Sequence, residues 1–244
     1  MPPQAKGGSR VTRASVVISA GLLALGAQPL AAQTPTFAEN TDAAIREFRA
    51  ALAATPDLKH GAQLFDTCAA CHGADGRGAR DGTVPAIAGQ HVSVLVKQLV
   101  DFRHDRRWDE RMQNFSSTHH LQGPPDLLDV ASYAQSLPRW PPLEGGTGDG
   151  KSLQRGANAY FIQCEGCHGP LGEGELRRLR PRLAGQHYEY LMREMEQTAA
   201  GGRPGMDAEH VTRIRKLSPE EREGIADYLS RLSPDVASNH PRQE

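Results

Sequence analysis

The four cysteines of this 244-residue chain form two tight pairs, each followed at once by a histidine: Cys68-Ala69-Ala70-Cys71-His72 and Cys164-Glu165-Gly166-Cys167-His168. On one turn of helix, two thiols so spaced reach the two vinyl groups on one edge of a haem. The next side chain then lies under the iron as its proximal nitrogen ligand. A structural zinc ion would draw four ligands from one local cluster, whereas each pair here would have to find partners elsewhere. A thioredoxin-like redox pair would sit among strands, and no strand pattern surrounds either pair. The spacing therefore predicts two covalently bound haems c. Cys68, Cys71, Cys164 and Cys167 are the attachment points, and His72 and His168 the proximal ligands.

A six-coordinate electron-carrying iron needs a second axial ligand, commonly a methionine thioether, which raises the potential. Met112 is the only methionine of the first copy of a repeated segment, and Met206 lies at nearly the corresponding place in the second. His119, His120 and His210 stand in the same segments as competing ligands, with solvated loop positions as their plain alternative. Met192 and Met195 fall on an amphipathic stretch and read as core filler. The free ring nitrogen of each proximal histidine needs a fixed acceptor, and a backbone carbonyl near Pro85 or Pro181 could supply it. The same prolines could instead merely shape a loop. Arg107 and Arg203 could pair with haem propionates or serve as ordinary surface cations.

The elements that must position these groups are duplicated. An offset of 96 places Phe65, Cys68, Cys71, His72, Gly73, Gly76 and Gly78 on Phe161, Cys164, Cys167, His168, Gly169, Gly172 and Gly174. The register continues through Pro85 and Pro181 and through Ala88-Gly89-Gln90-His91 and Ala184-Gly185-Gln186-His187. A period of this length is that of a small domain, so two related folds stand in tandem. Within each, the apolar period is helical. One helix leads into the cysteine pair, and a middle helix carries Val92, Leu95, Val96 and Leu99. The last helix of the second copy opens with Ser218, Pro219 and Glu221, a capping box, and buries Ile225, Tyr228, Leu229 and Leu232. Its counterpart spans about Pro125 to Leu137. Ile45, Phe48 and Leu52 predict one further amphipathic helix ahead of the first copy, packed on the first domain. The expected organisation is a signal peptide at 1–32, an N-terminal extension at 33–56, one helical domain at 57–138, a Pro- and Gly-rich linker at 139–150, a second domain at 151–233 and a tail at 234–244.

Lys6, Arg10 and Arg13 precede the apolar run from Val16 to Ala27, and small residues follow, the layout of a secretory signal. That run is short for a membrane span. Cleavage after Ala32 would remove three basic and no acidic residues from a chain of formal net charge −1, leaving it mildly acidic. Such a balance gives no support for a nucleic-acid partner. It predicts a periplasmic protein.

With the haem motifs, the Gly-rich loop, the paired prolines and the Ala-Gly-Gln-His runs in view, the chain resembles the dihaem cytochrome c4 family from about Asp57 to Leu232. Each half is similar to a class I cytochrome c. The resemblance implies an all-α fold of two tandem domains, haems near their interface, and a periplasmic carrier serving redox partner proteins such as a terminal oxidase, a cytochrome complex or a dehydrogenase. Peripheral association with a membrane is compatible with that role. It also implies histidine and methionine ligation at both irons, which carries over directly to His72 and His168 and, by position, to Met112 and Met206. The chain departs from the family pattern around the distal ligand in both halves. Two other functions remain open: the cytochrome subunit of a larger periplasmic dehydrogenase, and a dihaem oxidoreductase with an open distal site. No catalytic residue is singled out.

Overall fold

In the computed structural model, residues 37–139 and 146–233 are described. The expected signal peptide at 1–32, residues 140–145 of the linker and the tail at 234–244 lie outside these residues.

Among the described residues ten helices follow one another: α1 (Phe37–Ala53), α2 (Leu58–His72), α3 (Val92–Arg103), α4 (Glu110–Ser116), α5 (Pro124–Ser136), α6 (Leu153–Gln163), α7 (Glu165–His168), α8 (Tyr188–Ala200), α9 (Ala208–Lys216) and α10 (Pro219–Arg231). Among the described residues there is no strand beyond one isolated bridge between Glu175 and Arg180. No described helix is long and apolar enough to cross a membrane. The fold is all-α, two tandem cytochrome c-like helical domains, each with its own buried cluster. The first centres on Phe65, Val96, Leu127 and Val130, the second on Tyr160, Leu191, Ile214 and Ile225.

In each half the helix that enters the cysteine motif crosses the last helix, and glycine sets how close they come. A Cβ on Gly61 would stand 2.2 Å from the Asp129 carbonyl oxygen, and one on Gly156 only 1.8 Å from the Gly224 carbonyl carbon. An aromatic pair sits one turn beyond each crossing: Phe65 on Tyr133 at 5.2 Å between ring centroids, and Tyr160 on Tyr228 at 5.5 Å. These equivalences are offset by 95, one fewer than the sequence repeat. The helix into the second motif is broken at Cys164, with φ −120° and ψ −35°, between α6 and α7, whereas α2 runs unbroken to His72. The break absorbs one residue. Tyr160, fully buried, therefore takes the place of Phe65, and Phe161, which the 96 offset aligns with Phe65, is 47% exposed.

α10 starts as expected, with Ser218 and Glu221 closing a reciprocal capping box and Pro219 in the first turn. α1 packs on the first domain, but not through the stripe expected. It buries Ala44 and Ala51 beside Phe48, leaving Ile45 and Leu52 about 40% exposed. Small residues allow close approach, and this rotation turns Glu47 inward, where it holds Arg103 of α3 and, at 2.7 Å, His104 just beyond it. Arg103 in turn donates to the carbonyls of Ser116 and Leu121. One guanidinium thus ties α1, α3 and the segment after α4 together.

Candidate haem centres

α2 delivers Cys68, Cys71 and His72 along one turn, and α7 with the residue before it delivers Cys164, Cys167 and His168. All four cysteines are free. Cys68 and Cys164 are half-buried, and Cys71 and Cys167 are exposed. Burial pushes the thiols of Cys68 and Cys164 up to about 11, so neither is a ready thiolate at neutral pH. Among the described residues no group of three or more His, Cys, Asp and Glu side chains converges as a zinc site would require.

Both histidines are buried, and each makes the same bond. His72 Nδ1 lies 3.0 Å from the Pro85 carbonyl and His168 Nδ1 lies 3.2 Å from that of Pro181. A carbonyl can only accept, so Nδ1 carries the proton and the lone pair is left on Nε2. Burial keeps both rings neutral, lowering the pKa of His72 and bringing that of His168 down to about 4. A neutral imidazole with its outer nitrogen anchored and its inner nitrogen free is the form that ligates a metal. The loop is built to hold that carbonyl. Gly78 and Gly174, at φ +74° and +69°, donate their N–H groups to the carbonyls of His72 and His168, both at 2.8 Å. Each passes so near Pro85 or Pro181 that a Cβ would lie 2.5 Å from its oxygen.

Above His72 opens a cavity of about 260 Å³, lined by Cys68, Cys71, Leu95, Met112, Phe115 and Arg107 among others. Met112, on α4, therefore shares a space with His72. His119 and His120 do not line it. The two rings meet edge-on and His120 also packs against Phe115, with His119 exposed. In the second half, Met206 sits in the turn before α9, its N–H bonded to the Arg203 carbonyl at 3.0 Å, whereas His210 lies on α9 with its ring against His168. Met192 and Met195 pack against the second core.

Arg107 and Arg203 are not solvated. Both guanidinium groups bind the Glu194 carboxylate at 2.6 Å and the amide oxygen of Gln98, at 2.8 and 2.9 Å respectively. Burial opposes the charge on Arg107, but Tyr190 and Glu194 outweigh it and raise its pKa. Burial and the neighbouring Arg107 charge lower that of Arg203. Two cations on one buried carboxylate leave positive charge on the cavity wall, which an added carboxylate would balance. The residues present thus fit a haem: thiols for its vinyl edge, a tautomerically fixed imidazole beneath, an apolar wall, and arginines for its acidic edge.

The Ala-Gly-Gln-His runs join the halves. Gln186 closes two hydrogen bonds on Ala86, Gln90 two on Arg182. His91 Nε2 donates to the Glu173 carbonyl at 3.0 Å and His187 Nε2 to that of Arg77 at 2.7 Å. Every one of these pairs maps onto its counterpart at the 96 offset, so the interface is an internal pseudo-dimer in which the same surface meets itself. Sequence reasoning found these residues as matched positions but gave them no task. Identical polar side chains inside a repeated run were the available signal.

Fold and site together define a dihaem c-type cytochrome. A family model described as cytochrome c matches residues 58–138, and one described as cytochrome c oxidase, cbb3-type, subunit III matches residues 151–229. The chain is 32% identical to cytochrome c4 of Thiocapsa roseopersicina over 183 residues, covering 70% of this chain and 90% of that one. It is 31% identical to a thiosulfate dehydrogenase electron acceptor of Stutzerimonas stutzeri, over 68% of this chain and 78% of the relative. The crystal structure of reduced recombinant cytochrome c4 from Pseudomonas stutzeri superposes with a TM-score of 0.64 at 27% identity, over 73% of this chain and all of that one. The chain belongs to the cytochrome c4 family and carries two covalently bound haems c for electron transfer.

Proposed function

We propose that the protein is an exported, periplasmic carrier that passes single electrons between redox partner proteins. Cys68 and Cys71 hold one haem and Cys164 and Cys167 the other, with His72 and His168 as proximal ligands and Met112 as the distal ligand of the first iron. The haem-binding halves are residues 57–138 and 151–233. The bound haems supply the redox couple. The chain fixes ligand tautomer, shields the centres and holds the two halves in register. The observation that carries this proposal is the duplicated bond from a buried, neutral proximal histidine to a loop carbonyl, His72 to Pro85 and His168 to Pro181. Expression with its own leader in a host competent for haem attachment tests it. The protein should be recovered from the periplasm, and anaerobic titration should show two one-electron steps. Cytoplasmic retention, or a holoprotein that takes up one electron only, contradicts it.

A second role is favoured by one similarity, that to a protein whose name marks it as an electron acceptor for thiosulfate dehydrogenase. In that role the chain receives electrons from a periplasmic dehydrogenase. Rapid haem reduction by such an enzyme and thiosulfate, absent with either alone, supports it.

A further inference from the structure

We propose that His210, rather than Met206, is the distal ligand of the second iron, so that the two haems of one chain differ: His72 with Met112 in the first half, His168 with His210 in the second. This rests on the proposed attachment of a haem at Cys164, Cys167 and His168. The ring centroids of His168 and His210 lie 6.0 Å apart, with the ring planes at 66°. A metal to imidazole-nitrogen bond of about 2 Å on each side, plus roughly 1.2 Å from each nitrogen to its ring centre, separates two axial imidazoles of one metal by about 6 Å. The observed spacing is therefore that of two ligands across an iron.

The placement follows from α9. Asp207 caps this helix by accepting the His210 N–H at 3.0 Å, and Ile214, one turn on, is buried in the second core. His210 and Ile214 stand four apart and share the inward face. The Nδ1 of His168 is taken by Pro181, and the His210 side chain has no hydrogen bond among the described residues, so an Nε2 of each ring is available. Met206 lies ahead of the cap, outside the helix, and is not among the residues packed on the second core. The first half has the same geometry with a different side chain, Asp109 accepting the Met112 N–H at 3.0 Å as Asp207 accepts that of His210. There the helix after the arginine is α4, capped by Asp109, and it is Met112 that reaches the cavity beside His72.

Thioether ligation raises a haem potential relative to imidazole. The second centre is thus the lower of the two, and the first electron taken up rests in the first half. Near-infrared spectra of the oxidised full-length dihaem protein, which show a sulfur-to-iron charge-transfer band for each methionine-ligated haem, test this. The wild type should show the band for one haem of two, with Met112→Leu abolishing it and Met206→Leu leaving it unchanged. His210→Met should double it and bring the two redox waves together, and His210→Ala should leave the second iron open to carbon monoxide while the band persists. A wild-type band of two-haem intensity that Met206→Leu halves, or a His210→Ala protein that still excludes carbon monoxide, overturns the proposal. Haem counting on every variant separates the two levels, since fewer than two haems in the wild type overturns the attachment reading instead.

Discussion

Gln186 grips the backbone of Ala86 with both ends of its amide, Oε1 accepting the Ala86 N–H at 3.0 Å and Nε2 donating to its carbonyl at 2.9 Å. That N–H belongs to the peptide group whose carbonyl, on Pro85, anchors His72. Gln90 grips Arg182 at 2.9 Å in both directions, next to the Pro181 carbonyl that anchors His168. Each half thus holds the peptide that orients the histidine proposed as the other half's proximal ligand.

Hydrogen bonding at one end of a peptide group polarises the other end. Gln186→Leu should weaken the Pro85 carbonyl as an acceptor, reduce electron density on His72 and raise the potential of the first haem. One neutral hydrogen bond, about 1 kcal/mol, corresponds to a shift on the order of 40 mV for one electron. Gln90→Leu should act on the second haem. Haem-resolved redox titration checks both, and a shift confined to the haem of the mutated half contradicts the crossed arrangement.

Gly78→Ala and Gly174→Ala should each destabilise the holoprotein by about 2 kcal/mol or more, because φ is positive and the added Cβ meets backbone oxygens. Gly166→Ala is the control. It lies in the second cysteine motif, where Ala70 stands in the first, and an added Cβ there meets nothing within 4 Å. Denaturant midpoints should fall for the first two variants and stay in place for the third.

Glu47→Ala should cost about 2 kcal/mol by leaving buried Arg103 without its carboxylate. α1 should loosen from the first domain. Limited proteolysis should then cut within 37–53 in the variant before it does so in the wild type, with the second haem's spectrum unaltered.

His60 and Asp129 join the start of α2 to α5 at 2.9 Å, while Asp129 also accepts the Asp57 N–H at 2.7 Å. The hydrogen bond to Asp129 raises the His60 pKa above its ordinary 6.5. The unfolded chain therefore releases this proton first as pH rises. The pair's stabilisation is complete below about pH 6.5 and fades through the higher folded-state value. Melting temperature should decline over that window in the wild type more than in His60→Gln, and equal slopes would remove this pair as the cause.

The helices with strong apolar period or explicit caps, α2, α3, α5 and α10, were legible in the sequence, as were both haem motifs and the proline carbonyls as candidate anchors. α4 and α9 were not. They are short and polar, with one buried residue each, Ser116 and Ile214, so periodicity is silent there, and their Asp109 and Asp207 caps emerged only in the structure. Because α9 sets which side chain faces His168, the distal ligand was the least readable part of the site. The 96 offset is that of the loops and interface, where the two copies meet each other, while the terminal helices follow 95. A gapless comparison cannot show the kink at Cys164. The stripe on α1 was misjudged because Glu47 has a buried partner far along the chain.

The mass of the mature, exported polypeptide tests the central claim most directly. The account predicts the cleaved chain plus two haems, retained after denaturation because each is bound through thioethers to Cys68 and Cys71 or to Cys164 and Cys167, with Cys68→Ala/Cys71→Ala removing one haem only. A denatured chain carrying no added mass, or one haem in the wild type, would contradict it.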